Sequence, residues 1–503
     1  MLLRPGADDL RLIGYYLGKV VLGLSLVMLV PAVVALALGE WNSLTAFVIG
    51  AATCALLGAL AEIRLASRRS LTWAHGMVTV ALAWLLGAVL AAIPFHLSGH
   101  YDDLLASIFE GMSGLTTTGL SVINDLDHTT ISMDLYRHLL HFAGGQGIII
   151  VVLSLLAAGG AKIGTLYVSE ARDERILPNF IRTARFIFRV AATFLVVGTS
   201  ALVVTLVLSG FSLDRAIYHG VNLFLAAFDT GGFSPMQASM SYYHSAWLEG
   251  LVVTLMLAGA ISFGLHFHLW RGDPREVARH IETRTLAITC GVLFTVVCFG
   301  LLRAGTYDGV EPLLRKGLFT LVSAVSSAGY QVNDGATYLT DWGVLAPAAL
   351  VAAMAVGGMA SSTAGGIKAI RVGIAAKTLV QDVRKLLQPE SALVVSTYHA
   401  GKRRILRDQT ARAATSVLLL FVVTYLIGAL IGLSYGDYDI TQTLFESVSA
   451  TSNIGLSIGV TSPDMPRGLM AVYIVQMWLG RLEFVAVFAL LGYLVALGRG
   501  RAA

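Results

Sequence analysis

The chain has 503 residues, of which 56% are hydrophobic and 13% are charged, and its formal net charge is +4. A soluble protein of this length carries about 25% charged residues, so the composition excludes an ordinary soluble globular protein. Apolar runs such as 20–38 and 417–433 approach the ~20 residues with which a helix crosses the hydrocarbon core. The runs are continuous rather than alternating, which favours spanning helices over a barrel. We therefore expect an all-α integral membrane protein.

The N-terminal segment MLLRPGADDLRLIGYY places acidic residues and a proline before the first apolar run. A cleaved signal peptide has a different pattern, so we expect this segment in the mature chain. The three cysteines, Cys54, Cys290 and Cys298, all lie in apolar runs. Such an odd, scattered set argues against a disulfide framework and against a metal site of the CxxC type.

Basic residues cluster in alternate loops along the chain, at 64–69, 172–189, 271–284, 377–407 and 499–501. The intervening loops, at 102–134 and 437–464, are rich in aspartate. Because cytoplasmic loops carry the excess of lysine and arginine, this alternation predicts that the basic loops and both termini are cytoplasmic. We expect a multi-pass protein of the bacterial inner (plasma) membrane.

One unusual stretch occurs four times. The copies are SGLTTTGLSV (113–122), AAFDTGGFSP (226–235), SAVSSAGYQV (323–332) and SATSNIGLSI (449–458). Each contains a glycine followed by a bulky apolar residue, and these glycines are Gly119, Gly232, Gly329 and Gly455. A carboxylate precedes each glycine by 16 to 18 residues, at Asp103, Asp214, Glu311 and Asp439. The apolar segment between acid and glycine is too short to span a bilayer and favours a re-entrant half-helix, with the acid at its positive end.

This pattern suits a potassium filter. A potassium ion loses its water in a membrane only where oxygens replace the hydration shell, and rings of backbone carbonyls do this. Glycine gives the backbone the required conformational freedom. The predicted carbonyl ligands are Thr117, Thr118, Thr230, Gly231, Ser327, Ala328, Asn453 and Ile454. The alternative is that the glycines only allow close packing of helices, which leaves the acid spacing unexplained.

The four strips resemble the P-loops of the Trk/Ktr/HKT superfamily of potassium transporters, in which one subunit holds four M1–P-loop–M2 repeats around one pore. LLHFAGGQGIII (139–150) resembles the stretch after the first P-loop, with Gln146 where methionine is usual. AVGGMASSTAGGIKAIR (355–371) resembles the interrupted second helix of the third repeat, and MWLGRLEF (477–484) the arginine-bearing helix of the fourth. Two additional spans, at about 13–39 and 44–66, are typical of the bacterial TrkH type and bring the crossings to ten.

The resemblance implies a division of the chain into the two N-terminal helices and four repeats. The expected units are 1–70, 71–165 (repeat 1), 181–272 (repeat 2), 284–380 (repeat 3), 381–408 (a cytoplasmic loop) and 409–498 (repeat 4).

The third repeat contains four glycines in the stretch 357–366, namely Gly357, Gly358, Gly365 and Gly366. Helix propensity is poor there, and the resemblance implies an intramembrane gate loop; a glycine-rich helix packed against a neighbour is the alternative. Lys368 anchors this loop or lies at the cytoplasmic membrane edge. Arg481 lies deep in the last span, where a charge needs water or a partner. It forms a permeation barrier below the filter, with Glu483 or loop carbonyls as partners, or a purely structural ion pair.

Glycine at all four filter positions favours potassium, with rubidium as a surrogate, because serine at the first position accompanies sodium preference in the plant branch of the family. Asp229, in the second strip, is unexpected; it raises cation affinity or bonds to a partner behind the filter. The resemblance also implies a homodimer in membrane lipid on a cytoplasmic, nucleotide-binding RCK-domain regulator of TrkA type.

The chain has no Walker A or Rossmann motif, so we expect no nucleotide site on it. We also expect no organic cofactor and no nucleic-acid partner. Coupling to sodium or protons stays open. A membrane enzyme is the competing class, with His138, His141, His266 and His268 as its candidate groups. No His-Glu-x-x-His motif accompanies them, so we expect no enzyme and assign the histidines to the ends of spans.

Overall fold

The computed structural model describes residues 6–67, 69, 71–147, 180–333, 335–389 and 394–498. This part of the chain contains 19 α-helices and one β-hairpin. The helices of the first half are α1 (Ala7–Leu38), α2 (Trp41–Arg64), α3 (Trp73–Ser98), α4 (Leu104–Leu115), α5 (Ile131–Gly145), α6 (Phe180–Leu208), α7 (Leu213–Phe228), α8 (Ala246–Ala260), α9 (Phe263–Trp270) and α10 (Pro274–Arg279), with a 3₁₀ turn at Ser239–Tyr243. The second half contains α11 (Ile281–Ala304), α12 (Val310–Ser326), α13 (Gly335–Thr340), α14 (Leu345–Val356), α15 (Ala369–Leu386), β1 (Thr397–Ala400), β2 (Lys402–Ile405), α16 (Asp408–Leu433), α17 (Ile440–Thr451), α18 (Arg467–Arg481) and α19 (Val485–Gly498). The predicted all-α membrane fold is confirmed.

Six of the described helices are long and apolar enough to cross a membrane: α1, α2, α3, residues Arg185–Leu208 of α6, α11 and α16. Two further pairs are bent by more than a right angle, α8 with α9 (104°) and α18 with α19 (108°), and each pair has the composition of a broken span. This makes up to eight spans in the described part of the chain, against ten predicted crossings. Of the other two predicted crossings, one begins with α5 and falls partly on residues 148–179, which lie outside the described residues, and the other consists of α14 and α15, which loop 357–368 separates.

The helices α1 and α2 occupy the positions predicted for the two additional spans and pack closely against each other. Their contact depends on two glycines, since a Cβ atom at Gly58 would lie 2.8 Å from the carbonyl oxygen of Gly18. The chain reverses after α1 at Gly39, whose φ of 73° ends the helix in the left-handed conformation that glycine adopts without steric cost.

Four short helices, α4, α7, α12 and α17, precede the four strips and correspond to the predicted half-helices. Asp103 and Asp439 cap α4 and α17 through hydrogen bonds of 2.8 Å to the amides of Ala106 and Gln442. Asp214 lies in the first turn of α7, as does Glu311 in that of α12. A carboxylate therefore stands at the positive end of each short helix, which favours its formation.

The short helices are arranged in a closed ring. Each packs against the long helix before it and the helix after it: α3 and α5 around α4, α6 and α8 around α7, α11 and α14 around α12, and α16 and α18 around α17. The helix that follows each strip also packs against the next short helix, in the pairs α5–α7, α8–α12, α14–α17 and α18–α4. The last pair joins the end of the chain to its beginning, so the four short helices surround one axis.

The predicted cytoplasmic loop 381–408 is partly regular. Helix α15 continues to Leu386, and β1 pairs antiparallel with β2 through a turn at Gly401, whose φ is 66°. Residues 397–405 show no alternation of polar and apolar side chains strong enough to predict these two short strands.

Candidate functional site

The four strips leave their helices with the same backbone geometry. The amide one residue before each glycine donates to the carbonyl five residues earlier, in the pairs Thr118–Ser113 (2.8 Å), Gly231–Ala226 (2.8 Å), Ala328–Ser323 (3.0 Å) and Ile454–Ser449 (3.1 Å). The residue before that amide has a left-handed φ in every strip: Thr117 (54°), Thr230 (52°), Ser327 (61°) and Asn453 (53°). This is the Schellman arrangement with which many helices end. Glycine is the usual residue at the left-handed position of this arrangement. Other residues adopt the left-handed conformation rarely, and it costs them conformational free energy.

The four glycines hold the strips against one another. Their φ values are all left-handed: Gly119 (87°), Gly232 (75°), Gly329 (81°) and Gly455 (89°). A Cβ atom at each would lie within 2.2 Å of a carbonyl oxygen of the next strip, the distances being 2.1 Å (Gly119 to Gly231), 1.9 Å (Gly232 to Ala328), 1.8 Å (Gly329 to Ile454) and 2.2 Å (Gly455 to Thr118). No side chain fits in this space. The contacts pass from the first strip to the second, third and fourth and back to the first, which is a closed ring of backbone.

All four glycines line a single cavity of about 290 Å³. The four carbonyls that approach them belong to Thr118, Gly231, Ala328 and Ile454, which are four of the eight predicted ligands. The other four predicted ligands, the left-handed residues, are fully buried one position earlier. The structure therefore brings all eight positions together around the axis.

Side chains of the strips bond within the protein. The Asn453 amide donates to the Thr118 hydroxyl at 3.0 Å and to the Met477 carbonyl at 2.9 Å, which ties the fourth strip to the first and to α18. The Thr230 hydroxyl donates to Thr363 at 3.1 Å. These hydroxyl and amide groups support the ring from behind and leave backbone oxygen as its inner surface.

Two buried glutamates brace the first and fourth strips, and sequence reasoning missed both. Glu110 accepts from the Ser121 hydroxyl at 2.9 Å and from the Arg137 Nε at 2.8 Å, and all three groups lie behind the first strip. Glu446 accepts from the amide of Ile458 at 2.9 Å and from the hydroxyl of Ser457. The serine follows the glutamate by 11 residues in both cases, and this repeated spacing was the available signal.

Three more glycines allow the helix after the first, second and fourth strips to touch the end of the preceding half-helix. A Cβ atom at Gly144 would lie 1.8 Å from the Leu115 carbonyl oxygen. The same distance is 1.9 Å from Gly259 to Phe228 and 1.7 Å from Gly480 to Thr451. The predicted motif around 139–150 thus includes Gly144 for a steric reason.

The glycine-rich stretch of the third repeat is a loop between α14 and α15, as expected. Gly357 and Gly366 have φ of 68° and 79°, and a Cβ atom at Gly357 would lie 2.2 Å from the Gly365 carbonyl oxygen. Gly365 packs equally tightly against the fourth strip, its Cβ position being 2.0 Å from the Ser452 carbonyl oxygen. Gly358 packs against Ala364 within the loop. The alternative of a continuous glycine-rich helix is therefore wrong.

This loop is held by the break between α8 and α9. The bend frees carbonyls at the end of α8, and the loop amides of Met359 and Thr363 donate to Ala260 (3.1 Å) and Gly259 (3.3 Å). In return, the amide of Phe263 at the start of α9 donates to Ser361 at 3.0 Å. A helix end inside a membrane needs such partners, so the bend and the loop stabilise each other.

Arg481, the last residue of α18, connects three segments below the ring. Its guanidinium donates to the Thr117 hydroxyl at 3.0 Å, to the Thr363 carbonyl of the loop at 3.0 Å and to the Gly144 carbonyl at 2.8 Å. The predicted loop-carbonyl partner is present. Glu483, the other predicted partner, accepts a hydrogen bond from Arg371.

Lys368 is buried, with 8% of its surface exposed, and its ammonium group donates to the Ala364 carbonyl within the loop. Of the two predicted positions for this lysine, the geometry supports the loop anchor over the exposed membrane edge.

The comparisons agree with this geometry. The family model described as TrkH, cation transport protein, matches residues 43–491. The chain belongs to the TrkH family. It is 30% identical to an uncharacterized cation transporter of Methanocaldococcus jannaschii, over 96% of this chain and 95% of that protein. It is 29% identical to the Trk system potassium uptake protein TrkH of Halomonas elongata, over 96% and 98% of the two chains. The crystal structure of the potassium transporter TrkH from Vibrio parahaemolyticus matches with a TM-score of 0.80 and 25% identity, covering 96% of this chain and 98% of that one.

Gln146 and Asp229, the two residues that the sequence analysis found unexpected, contact each other. The Gln146 amide donates to Asp229 Oδ1 at 2.6 Å, and a Cβ atom at the neighbouring Gly145 would lie 2.6 Å from the same oxygen. Asp229 is fully buried at the end of α7. Of the two predicted roles of this aspartate, the contact supports a hydrogen-bond partner behind the strip.

The candidate histidines of the enzyme alternative are packed rather than clustered. His141 stacks on Phe233 with ring centroids 4.2 Å apart, and His138 bonds to the Phe233 carbonyl at 3.1 Å. Both are fully buried beside the second strip, and their position at the ends of spans stays a prediction. His266 bonds to the Ala258 carbonyl at 2.9 Å. Within the described residues, no group of three histidine, cysteine or carboxylate side chains is placed to hold a metal ion.

Proposed function

We propose that this TrkH-family chain carries potassium into the cell across the bacterial inner membrane. The observation that carries the proposal is the closed ring in which Gly119, Gly232, Gly329 and Gly455 pack against backbone carbonyls of the neighbouring strips. Carbonyl rings of this kind replace the hydration shell of potassium. The printed names of two relatives, potassium uptake proteins of the Trk system, support the same ion.

The four half-helices add a second contribution. Each ends at the ring, and the C-terminal end of a helix carries roughly half a negative charge. Four such ends around one axis favour a cation and disfavour an anion. The eight carbonyls of Thr117, Thr118, Thr230, Gly231, Ser327, Ala328, Asn453 and Ile454 are the proposed ligands, with potassium as cargo and no organic cofactor.

The loop at 357–368 is the proposed gate. It lies against the fourth strip through Gly365 and is linked to the first strip through Arg481. The Arg481 cation beneath the ring opposes the passage of a second cation, and its bond to the Thr363 carbonyl keeps the loop in place. Lys368 fixes the end of the loop where α15 begins.

The basic segments at 172–189 and 377–407 are the proposed cytoplasmic surface, with both termini on that side. Residues 172–179 lie outside the described part of the chain. A homodimer bound to a cytoplasmic nucleotide-binding regulator of the RCK type is the proposed assembly, and the basic segments, apart from Lys377 and Arg403, are its docking site.

Rubidium influx tests the proposal. Cells that lack potassium uptake are expected to gain influx from the wild-type chain and to lose it with Gly119→Asp or Gly455→Asp, because each new side chain meets a carbonyl at about 2 Å. Gly39→Asp is the matched control: Gly39 also has a left-handed φ (73°), but nothing lies within 4 Å of its Cβ position. Influx that survives both filter substitutions, or that no version of the chain produces, would refute the proposal.

The mode of transport needs a second measurement. Reversal potentials under separate potassium, sodium and proton gradients distinguish a channel-like pathway from a coupled one. A potential that follows potassium alone supports the uncoupled pathway, whereas a shift with sodium or pH supports symport by the same ring.

A further inference from the structure

A large cavity among the described residues lies away from the ring, beside the start of α11. It has a volume of about 690 Å³ and lies between α11, α15 and the β-hairpin. Four cations line it: Arg279, Arg284, Lys377 and Arg403. All four are exposed, no carboxylate is among the lining residues, and no described acidic side chain forms an ion pair with any of them. The Glu276 carboxylate lies beside this lining, 2.8 Å from Nε2 of His399, so the four cations still leave the cavity with a net positive charge.

The deeper wall of this cavity is apolar. Ile281, Ile288, Val372 and Ala376 contribute to it, and 68% of the Ile288 side chain is exposed. Thr289 also lines the cavity and lies eight residues into α11, which corresponds to roughly 12 Å along the helix. An apolar wall contributes little to the binding of a soluble phosphate compound, whereas it packs against an acyl chain.

The helix that forms one side of the cavity has the character of a membrane-surface helix. In α15 and the residue after it, large apolar side chains are exposed beside lysine and arginine: Leu379 (67%), Val380 (50%), Val383 (47%), Leu386 (86%) and Leu387 (79%). A basic amphipathic helix of this type lies in the interface between headgroups and acyl chains. This places the mouth of the cavity at the level of the lipid headgroups.

We propose that this cavity binds an anionic phospholipid, with the phosphate group at Arg279, Arg284, Lys377 and Arg403 and an acyl chain along Ile288. The assignment rests on the proposed function only for the side of the membrane, since the basic face is the cytoplasmic one. Basic pockets between helices on that side are typical sites for anionic headgroups. The site adjoins the proposed gate. Gly373, which lines the cavity, lies four residues after the start of α15, and α15 follows loop 357–368 directly. A Cβ atom at Gly373 would lie 2.5 Å from the Thr285 hydroxyl oxygen of α11. A bound lipid therefore holds α15 against α11.

Native mass spectrometry of the intact, detergent-purified protein tests this site. Dioleoylphosphatidylglycerol is titrated against dioleoylphosphatidylcholine, and the wild type is expected to retain the anionic lipid preferentially. Arg284→Gln/Lys377→Gln is expected to weaken that retention about 20-fold, since one basic residue near an anionic headgroup contributes roughly a five-fold factor. The matched control is Arg384→Gln/Lys402→Gln, which removes the same charge from α15 and the neighbouring β-hairpin at positions outside the cavity.

Four outcomes would overturn the proposal. The first is equal retention of the two lipids by the wild type, and the second is an equal loss in the control. The third is displacement of the lipid by glycerol phosphate at similar concentration, which would identify a soluble phosphate compound as the ligand. A change of oligomeric state with unchanged lipid retention would likewise assign the cavity to a contact between two copies. Retention of phosphatidylcholine reports that the variant is folded, and the readout does not depend on rubidium influx.

Discussion

The contact between Gln146 and Asp229 leads to a prediction with a defined magnitude. The 2.6 Å hydrogen bond ends on a fully buried carboxylate, and a hydrogen bond to a charged group contributes about 1.5–3 kcal/mol. Gln146→Met keeps the side-chain length and removes the donor, so we expect it to lower the free energy of unfolding by about this amount. Asp229→Ser, which gives the second strip a small neutral residue, is expected to leave the glutamine amide unmatched and to cost about 1 kcal/mol.

The double variant decides whether the two residues act as a pair. We expect Gln146→Met/Asp229→Ser to be less destabilised than the sum of the single variants, by about 1.5–3 kcal/mol, in unfolding experiments in mixed detergent micelles. Gln476→Met combined with Asp229→Ser is the control, because Gln476 of α18 donates to Thr424 of α16 and Ser447 of α17, away from Asp229. Additivity within about 0.5 kcal/mol for the first pair would refute the reasoning. So would a KM for rubidium that changes with Asp229→Ser and stays changed in the double variant, since the aspartate would then act on the ion directly.

Three other substitutions separate the contributions of backbone contact, bracing and charge. Gly480→Ala places a methyl group 1.7 Å from the Thr451 carbonyl oxygen and is expected to abolish assembly, as judged by gel filtration. The control is Gly250→Ala, because nothing lies within 4 Å of the Cβ position of Gly250; this substitution is expected to stabilise α8 by about 0.5–1 kcal/mol. Glu446→Ala leaves the amide of Ile458 without its acceptor and is expected to lower the free energy of unfolding by about 1–3 kcal/mol. It is also expected to lower potassium-over-sodium selectivity in uptake assays. Unchanged selectivity would mean that other groups hold the fourth strip. Arg481→Gln removes the cation below the ring and is expected to increase rubidium influx per molecule, and a decrease would assign the arginine to structure alone.

Short-range patterns predicted the strips and their helices because their chemistry is local. The acids Asp103 and Asp439 are caps, and a cap depends on three neighbouring residues. The four glycines were recognisable because the repeat displayed them four times in the same setting. Fold and candidate ring were therefore accessible from the sequence.

The sharp bends between α8 and α9 and between α18 and α19 were not accessible in this way. Neither break contains proline; the apolar run continues through the first, and the second carries only the charged pair Arg481 and Glu483 as a local signal. The first bend is stabilised by bonds from Ala260 and Phe263 to loop 357–368, about a hundred residues further along the chain. A conformation that depends on a distant segment leaves no local periodicity. The buried position of His141 was missed for the same reason, because its stacking partner Phe233 belongs to another repeat.

The ring is symmetric in its backbone and asymmetric in its side-chain support. Behind the first and fourth strips, Glu110 and Glu446 bind the segment that follows the glycine. Behind the second strip, aromatic packing takes this role, with Arg137 lying 4.2 Å from the ring of Phe233. Behind the third, the Tyr330 hydroxyl donates to the Leu223 carbonyl at 3.1 Å. Substitutions at the four glycines should therefore have equivalent effects, whereas substitutions at equivalent supporting positions should not. A ring of four strips from one chain needs a matching backbone only where the strips meet, and the residues behind the strips are free to differ from one to the next.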